Sequence, residues 1–301
     1  MPDSSCGPVL PRVRPPFPVR APYSTAPAPR PLQGTPHVVL DAALPAALAR
    51  RRERLADDRA GVLVACTDDP EGLAAAVRHA LALVPGGVDV ADGAAWEELA
   101  EAFLLACADD LVVLRRTGPG ELVAELLAVA FPRGWPPRHR AGATLAQLHA
   151  PVADGERLRR AAPALSEALL TKGPYLQHVW GLDPSGRLDR DPSAPDAEPP
   201  SCPPPAQWWL RVEQQTTLPL GDRALFLIRP YLTPLPDLDP QQRRVLADAV
   251  ASMSAQALTY KGLVDVRDDL LAWLRASTAA AAPPASPAAS DPPEPARVLG
   301  P

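Results

Sequence analysis

The chain has 301 residues, 47% hydrophobic and 22% charged, with a net charge of −5, enough for one large domain or two small ones around a buried core. The acidic balance argues against nucleic acid as a partner, no stretch approaches the roughly 20 apolar residues of a membrane helix, and no apolar leader opens the chain. Cysteines at 6, 66, 107 and 202 lack metal-ligand or redox spacing, which points to reduced thiols in a cytoplasmic protein.

Proline divides the chain. Of 41 prolines, 25 fall in residues 1–36, 191–206 and 281–301. Proline fixes φ and has no N–H, so these stretches cannot be helices or central strands. The expectation is a disordered Pro/Arg-rich tail over 1–36, a single folded domain over 37–277 with a loop insertion at 191–206, and a disordered Ala/Pro-rich tail over 278–301. The first tail carries Arg12, Arg14, Arg20 and Arg30 against Asp3 alone. It is basic like a transit peptide, but its prolines spoil the amphipathic helix such peptides form.

Within the domain, 37–60 reads as a short extended piece and then a helix. Asp41 is its expected N-cap and Pro45 lies in its first turn. The Arg51, Arg52, Arg54 run reads as a solvated helix face. A second helix spans 70–85 with Pro70 at its start, and His79 is a surface or packing residue within it. Trp96, Leu99, Phe103 and Ala106 recur at helical spacing over 93–107. From Asp110 to Phe131 the period changes, and "DLVVLRR", "TGPG" and "ELVAELLAVAF" read as strand, turn and strand. Short and longer helices follow at 143–149 and 156–170. "WWLRVEQQTTL" (208–218) and "RALFLIRPYL" (223–232) flank a "PLGD" turn. Asp239 and Pro240 then open a helix lined by Leu246, Ala249, Met253, Ala257 and Tyr260 and ended by Gly262. "VRDDLLAWLRAS" makes the last helix. Antiparallel hairpins with helices packed on them define an α+β domain.

The 208–218 strand is unusual in its charges. Side chains alternate faces along a strand, so Trp209, Arg211, Glu213 and Gln215 share one face, and Leu210, Val212, Gln214 and Thr216 the other. Arg229 adds a cation to the partner strand. Charges amid apolar runs are costly to bury unless paired. They form either an Arg–Glu ion pair on a solvated sheet face or a pocket for a charged small molecule, where Glu213 suits an ammonium and Arg211 or Arg229 a carboxylate.

Three segments carry a resemblance to a known family. "FPRGWPPRHRAGATLAQLHAPV" is similar to F-P-S-x-W … K-x-G … L-x-x-I-H-x-P-V-P. "LRVEQQTTLPLGDRALFLIRPYLTPL" is similar to R-x-E-R-Q-T-L-x-R-L-P … F-x-I-R-T-Y. "ACADDLVVLRR" is similar to Q-E-D-L-x-L-L. In this order, over roughly residues 38 to 275, they resemble the haem-dependent oxidative N-demethylase α-subunit-like family, once an uncharacterised domain family. The resemblance implies a PAS-like antiparallel sheet with packed helices that binds haem b. Its iron activates O2 and demethylates a small alkylamine, releasing formaldehyde, with electrons from separate flavin and iron–sulfur reductase subunits. Carried over, His149 is the axial iron ligand, Glu213 the catalytic group that binds the substrate ammonium, and Arg211 and Arg229 the partners of the haem propionates. Trp135 and Trp180 match tryptophans beside the cofactor. Departures are Arg133 for the motif's serine, Ala153 for its proline after Val152, and Gln177 and His178 in place of an Arg/Asn pattern.

Apart from the resemblance, His149 reads as a helix-end histidine capping carbonyls. Two other functions remain open. One is a non-catalytic PAS-like haem or small-ligand sensor. The other is a haem-free interaction protein whose Pro-rich tails dock partners through extended segments such as "PPFP".

Overall fold

The computed structural model describes residues 10–279, except 27, 35, 151, 152, 154 and 155 and the side chains of 157, 158 and 277–279. In chain order the elements are β1 (Arg30–Pro31), α1 (Leu44–Val62), β2 (Leu63–Ala65), α2 (Pro70–Leu81), α3 (Trp96–Ala106), β3 (Asp110–Gly118), β4 (Glu121–Ala128), α4 (Leu145–Leu148), α5 (Glu156–Thr171), β5 (Tyr175–Asp183), β6 (Trp209–Leu220), β7 (Arg223–Pro234), α6 (Pro240–Ala251), α7 (Ala255–Lys261) and α8 (Arg267–Ala279). The strands form one antiparallel sheet in the order β1-β5-β6-β7-β3-β4-β2. The mixed helix-and-sheet class is thus the expected one.

Each face of the sheet has its own cover. Register pairs Leu111 with Leu227, and Val212 with both Trp180 and Tyr231. This helical face holds two apolar clusters. Leu111, Val113, Leu225 and Leu227 pack with α1, α2 and α3, while Leu182, Leu210, Val212 and Tyr231 pack with α6 and α8. The opposite face, here called the open face, carries Val112, Leu114, Ala224, Phe226 and Ile228. Helix α5 crosses it over β4, β7 and β6, and Trp135, Ala141 and Leu148 pack beside it.

The β3–β4 turn needs Gly120, whose φ of +68 few other residues accept. The long helix expected from Pro240 to Gly262 is two. Asp239 and Gln242 form a capping box on α6; the chain then breaks, and Ser254 caps α7 by accepting from the Ala257 N–H. Gly262, left-handed at φ +67, ends α7 as expected.

Asp41 is not the N-cap of α1; Ala43 holds that position. The Asp41 carboxylate instead accepts from the Ala43 N–H and from Nη2 of Arg229. Nor is the arginine run solvated: Arg51 and Arg54 are 0% and 1% exposed, and only Arg52 faces water. Burial is sustained by acids gathered from distant parts of the chain, Asp110 for Arg51 and Asp189 and Asp191 for Arg54.

Where the sequence gives reason to expect a disordered first tail, residues from 10 onward lie along the domain. Val19 is buried with the α6–α8 cluster, beside Phe17 and Tyr23, and Arg30–Pro31 pairs with β5. An extended, proline-rich chain can bury alternate apolar side chains without forming a helix or a central strand. The 191–206 insertion has no strand or α-helix and is held by charge: Asp196 bonds Arg50 and Arg187, and Asp191 is buried beside Arg54. The second tail lies almost wholly outside the described residues. Among them, no helix is long and apolar enough to cross a membrane.

Candidate functional site

Strand β6 builds the floor. Register places Gln177 beside Gln215, Val179 beside Glu213 and Gly181 beside Arg211 on the open face. A polar ladder results. Gln177 Nε2 donates to Gln215 Oε1 (2.8 Å), Gln215 Nε2 approaches Glu213 Oε2 (3.4 Å), and Arg211 Nε donates to Glu213 Oε1 (3.1 Å). Ile228, the register partner of Gln215, and Phe226 further along β7 are half-buried on this face, and Val179 is 39% exposed, a high value for a valine inside a strand. One end of the ladder is tied to the segment after β4, where Arg211 Nη2 donates to the Phe131 carbonyl.

Arg211 is locked in place. Its Nη1 donates to the Leu188 carbonyl and Nη2 to the Phe131 carbonyl, both at 2.6 Å, and the residue is 1% exposed. The ion pair expected from the sequence is present, with the arginine buried and the carboxylate half-buried. All three nitrogens of Arg211 are engaged, so it positions Glu213 and has no free edge for a propionate.

His149 follows α4, whose four residues are held by a capping box between Thr144 and Gln147. Its Nδ1 lies 2.8 Å from the Leu145 carbonyl. A carbonyl has no proton to give, so Nδ1 carries the hydrogen, and the neutral ring in this tautomer has its lone pair on Nε2. The ring is half-buried, and the preceding Leu148 packs on the open face with Trp135. Capping and metal ligation are therefore compatible here: the cap fixes the tautomer a ligand needs. Pro151 lies outside the described residues.

Arg229 and Trp180 occupy the other side of the sheet. Arg229 pairs in register with Gln214, and Trp180 with Val212, both on the helical face by the alternation along β6. Trp180 packs edge-on against Tyr23 at 5.6 Å. Arg229, 3% exposed, gives Nη2 to both oxygens of Asp41 and lines a cavity of about 660 Å³ with Asp41, Phe131, Leu188 and Tyr231. Neither residue stands with Glu213, a correction that the two-residue period of the strand explains. Another cavity, of about 820 Å³, lies between α2 and the start of α3. Neither is walled by His149 or Glu213.

A family model for the haem-dependent oxidative N-demethylase, alpha subunit-like proteins matches residues 88–271. The chain belongs to that family. No curated protein matches it. The family match runs from just before α3 into α8, so it holds strands β3 to β7 and leaves β1, α1, β2 and α2 outside.

The family's haem suits the donors found here. Among the described residues no group of three or more His, Cys, Asp or Glu could hold a bare metal ion. Haem needs none, because it brings four nitrogens and asks the protein for an axial ligand. With Nδ1 committed to the Leu145 carbonyl, His149 Nε2 has the chemistry such a ligand requires.

Reading from the sequence missed two charged residues of this site, Arg133 and Arg190, and a third, Lys261, held against β5. Arg133 Nε and Arg190 Nη1 both donate to Asp183 Oδ1 at 2.9 Å. Lys261, at the end of α7, donates to the Trp180 carbonyl at 2.7 Å and lies 5.4–5.9 Å from the rings of Tyr23, Trp180 and Tyr260. Burial pushes the Lys261 ammonium down to about 7; the Arg133 guanidinium adds to this, against the opposing carboxylates of Glu213 and Asp183. The only sequence signal was Arg133 in place of a serine.

Proposed function

We propose that this chain is the haem-carrying subunit of an oxidative N-demethylase, on a PAS-like frame, acting on a small alkylamine in the cytoplasm. Haem b bound through His149 would supply O2 activation. Overall, an N-methylamine, O2, two electrons and two protons give the demethylated amine, formaldehyde and water. The electrons come from separate reductase subunits carrying flavin and an iron–sulfur cluster.

The observation that carries this reading is the His149–Leu145 bond, which leaves an oriented lone pair on Nε2 in a chain of this family. Glu213 supports it. Among the described residues its Oε2 has only the long contact to Gln215 and can accept an N–H of the substrate ammonium, while Arg211 keeps the carboxylate from swinging. Trp135, Phe226 and Ile228 offer apolar surface to the alkyl groups and help exclude water.

The purified protein is titrated with haem and its Soret band recorded, then assayed for formaldehyde with a competent reductase and a series of methylamines. Uptake of haem, loss or shift of the band in His149→Ala, and O2-dependent formaldehyde release are the expected results. A wild-type protein that takes up no haem, or a His149→Ala spectrum identical to it, overturns the assignment. Haem uptake without turnover would leave the sensor function instead.

A further inference from the structure

Asp183 is one carboxylate serving two arginines. Backbone pairing forces them together: Arg133 and Arg190 form a parallel β-bridge, with Gly134 N–H donating to the Arg190 carbonyl and Arg190 N–H to the Pro132 carbonyl. Paired residues of such a bridge project side by side, so two like charges are held as neighbours. Both guanidinium groups bond the same oxygen of Asp183, which is 1% exposed, while its Oδ2 is buried without a partner among the described residues. Arg133 also gives Nη2 to the Leu182 carbonyl. Arg133 Nη1 and Arg190 Nε and Nη2 then remain with no partner among the described residues, and the side chains are 24% and 29% exposed.

The pair stands at the Glu213 site. Arg133 lies over Gly181, the register neighbour of Arg211: a Cβ there would fall 2.5 Å from Arg133 Nη2. Only a residue without a side chain admits the guanidinium to this spot. Lys261 adds a third basic group, and the carboxylates of Glu213 and Asp183 act on it. Glu213 is already matched by Arg211. Two arginines against Asp183 alone leave an excess positive charge beside a site whose floor presents a carboxylate of its own.

We propose that Arg133 and Arg190 form a carboxylate-binding subsite of the Glu213 site, with the anion completing the charge balance that Asp183 leaves open. This deepens the function proposed above and rests on it. The carboxylate has two sources of the same chemistry: a propionate of the haem, or the carboxylate of an N-methyl amino acid whose ammonium lies on Glu213. The spent donors of Arg211 and the position of Arg229 on the opposite face remove the two arginines that the sequence favoured for a propionate.

Two titrations of the full chain, followed by the Soret band, distinguish the sources. In the first, haem is compared with haem dimethyl ester. In the second, the haem-loaded protein is titrated with N-methylglycine and with N-methylethylamine, which lacks the carboxylate. A preference of about tenfold for the free acid in one arm, reduced to near parity in Arg133→Gln and Arg190→Gln, assigns the carboxylate to that arm's ligand. Far-UV circular dichroism accompanies each variant. If Arg133→Gln does not fold, Arg190→Gln, which gives up a single bond to Asp183, decides the comparison. Parity in both arms for the wild type, or a preference that both variants keep, overturns the subsite and leaves the haem assignment standing. A wild-type protein that binds neither porphyrin overturns both.

Discussion

Arg51 and Asp110 meet out of water, with Nη2 2.9 Å from Oδ1 and neither side chain more than 1% exposed. Nη1 of Arg51 donates to the carbonyls of Leu104 and Asp109, and the Asp110 oxygens accept from the N–H groups of Ala130 and Phe131. This pair fixes the point where the chain leaves β4 on its way to Arg133 and Trp135. Arg51→Ala strands a buried carboxylate and is expected to cost about 3–5 kcal/mol, measured by urea unfolding. A loss below about 1 kcal/mol would mean that Asp110 is held without it.

Asp109 gives the fold a pH dependence. Burial pushes its carboxyl up to about 7, against the attraction of Arg229 and Arg51, and its Oδ2 has no partner among the described residues. An unfolded aspartate loses its proton near pH 4, so between about pH 4 and 7 the folded chain binds a proton that the unfolded chain has released. Stability from this group therefore falls as pH rises through that window. Asp109→Asn should gain about 1–3 kcal/mol over the wild type at pH 8 and little at or below pH 4. Parallel stability–pH curves for the two proteins would refute the assignment.

The thiols should divide by exposure. Burial pushes the Cys107 thiol up to about 12, while Cys66 and Cys202 are exposed. A thiol reagent at neutral pH should modify Cys66 and Cys202 within minutes, and Cys107 only as the protein unfolds. Peptide mapping after a short pulse checks this; early labelling of Cys107 would contradict the core packing around it.

Thr144 acts on His149 through α4. Removing the hydroxyl in Thr144→Ala breaks the capping box and costs about 1 kcal/mol of local order. Faster amide exchange at Gln147 and weaker haem uptake are expected, with the global melting temperature nearly unchanged. Unaltered haem affinity would show that the histidine is oriented by other means.

Sequence periodicity served well where one face of an element is buried and the other wet. The β3–β4 and β6–β7 hairpins and helices α2, α3 and α5 follow from alternation or helical spacing, and Arg211 and Glu213 do share a face. Strand β5 was hidden because Gln177 and His178 put polar groups on both of its faces. Buried charge was hidden for a different reason. The acids that bury Arg51 and Arg54 lie 59 or more residues away, and local pattern does not record partners at that distance. The same limit grouped Arg229 and Trp180 with Glu213: the motifs named the residues, while strand parity divides them between the two faces.

The proline-rich arm touches both of the apolar clusters that lie on the helical face of the sheet. Leu10 touches the cluster under α1–α3, Val19 is buried under α6–α8, the Tyr23 N–H reaches Ser252 and the Leu32 N–H reaches Pro174. It acts as a strap drawn across both halves. Trimming the chain at residue 37, where composition invites the cut, would strip that strap, bare greasy surface on each side, and yield a protein prone to clump when produced.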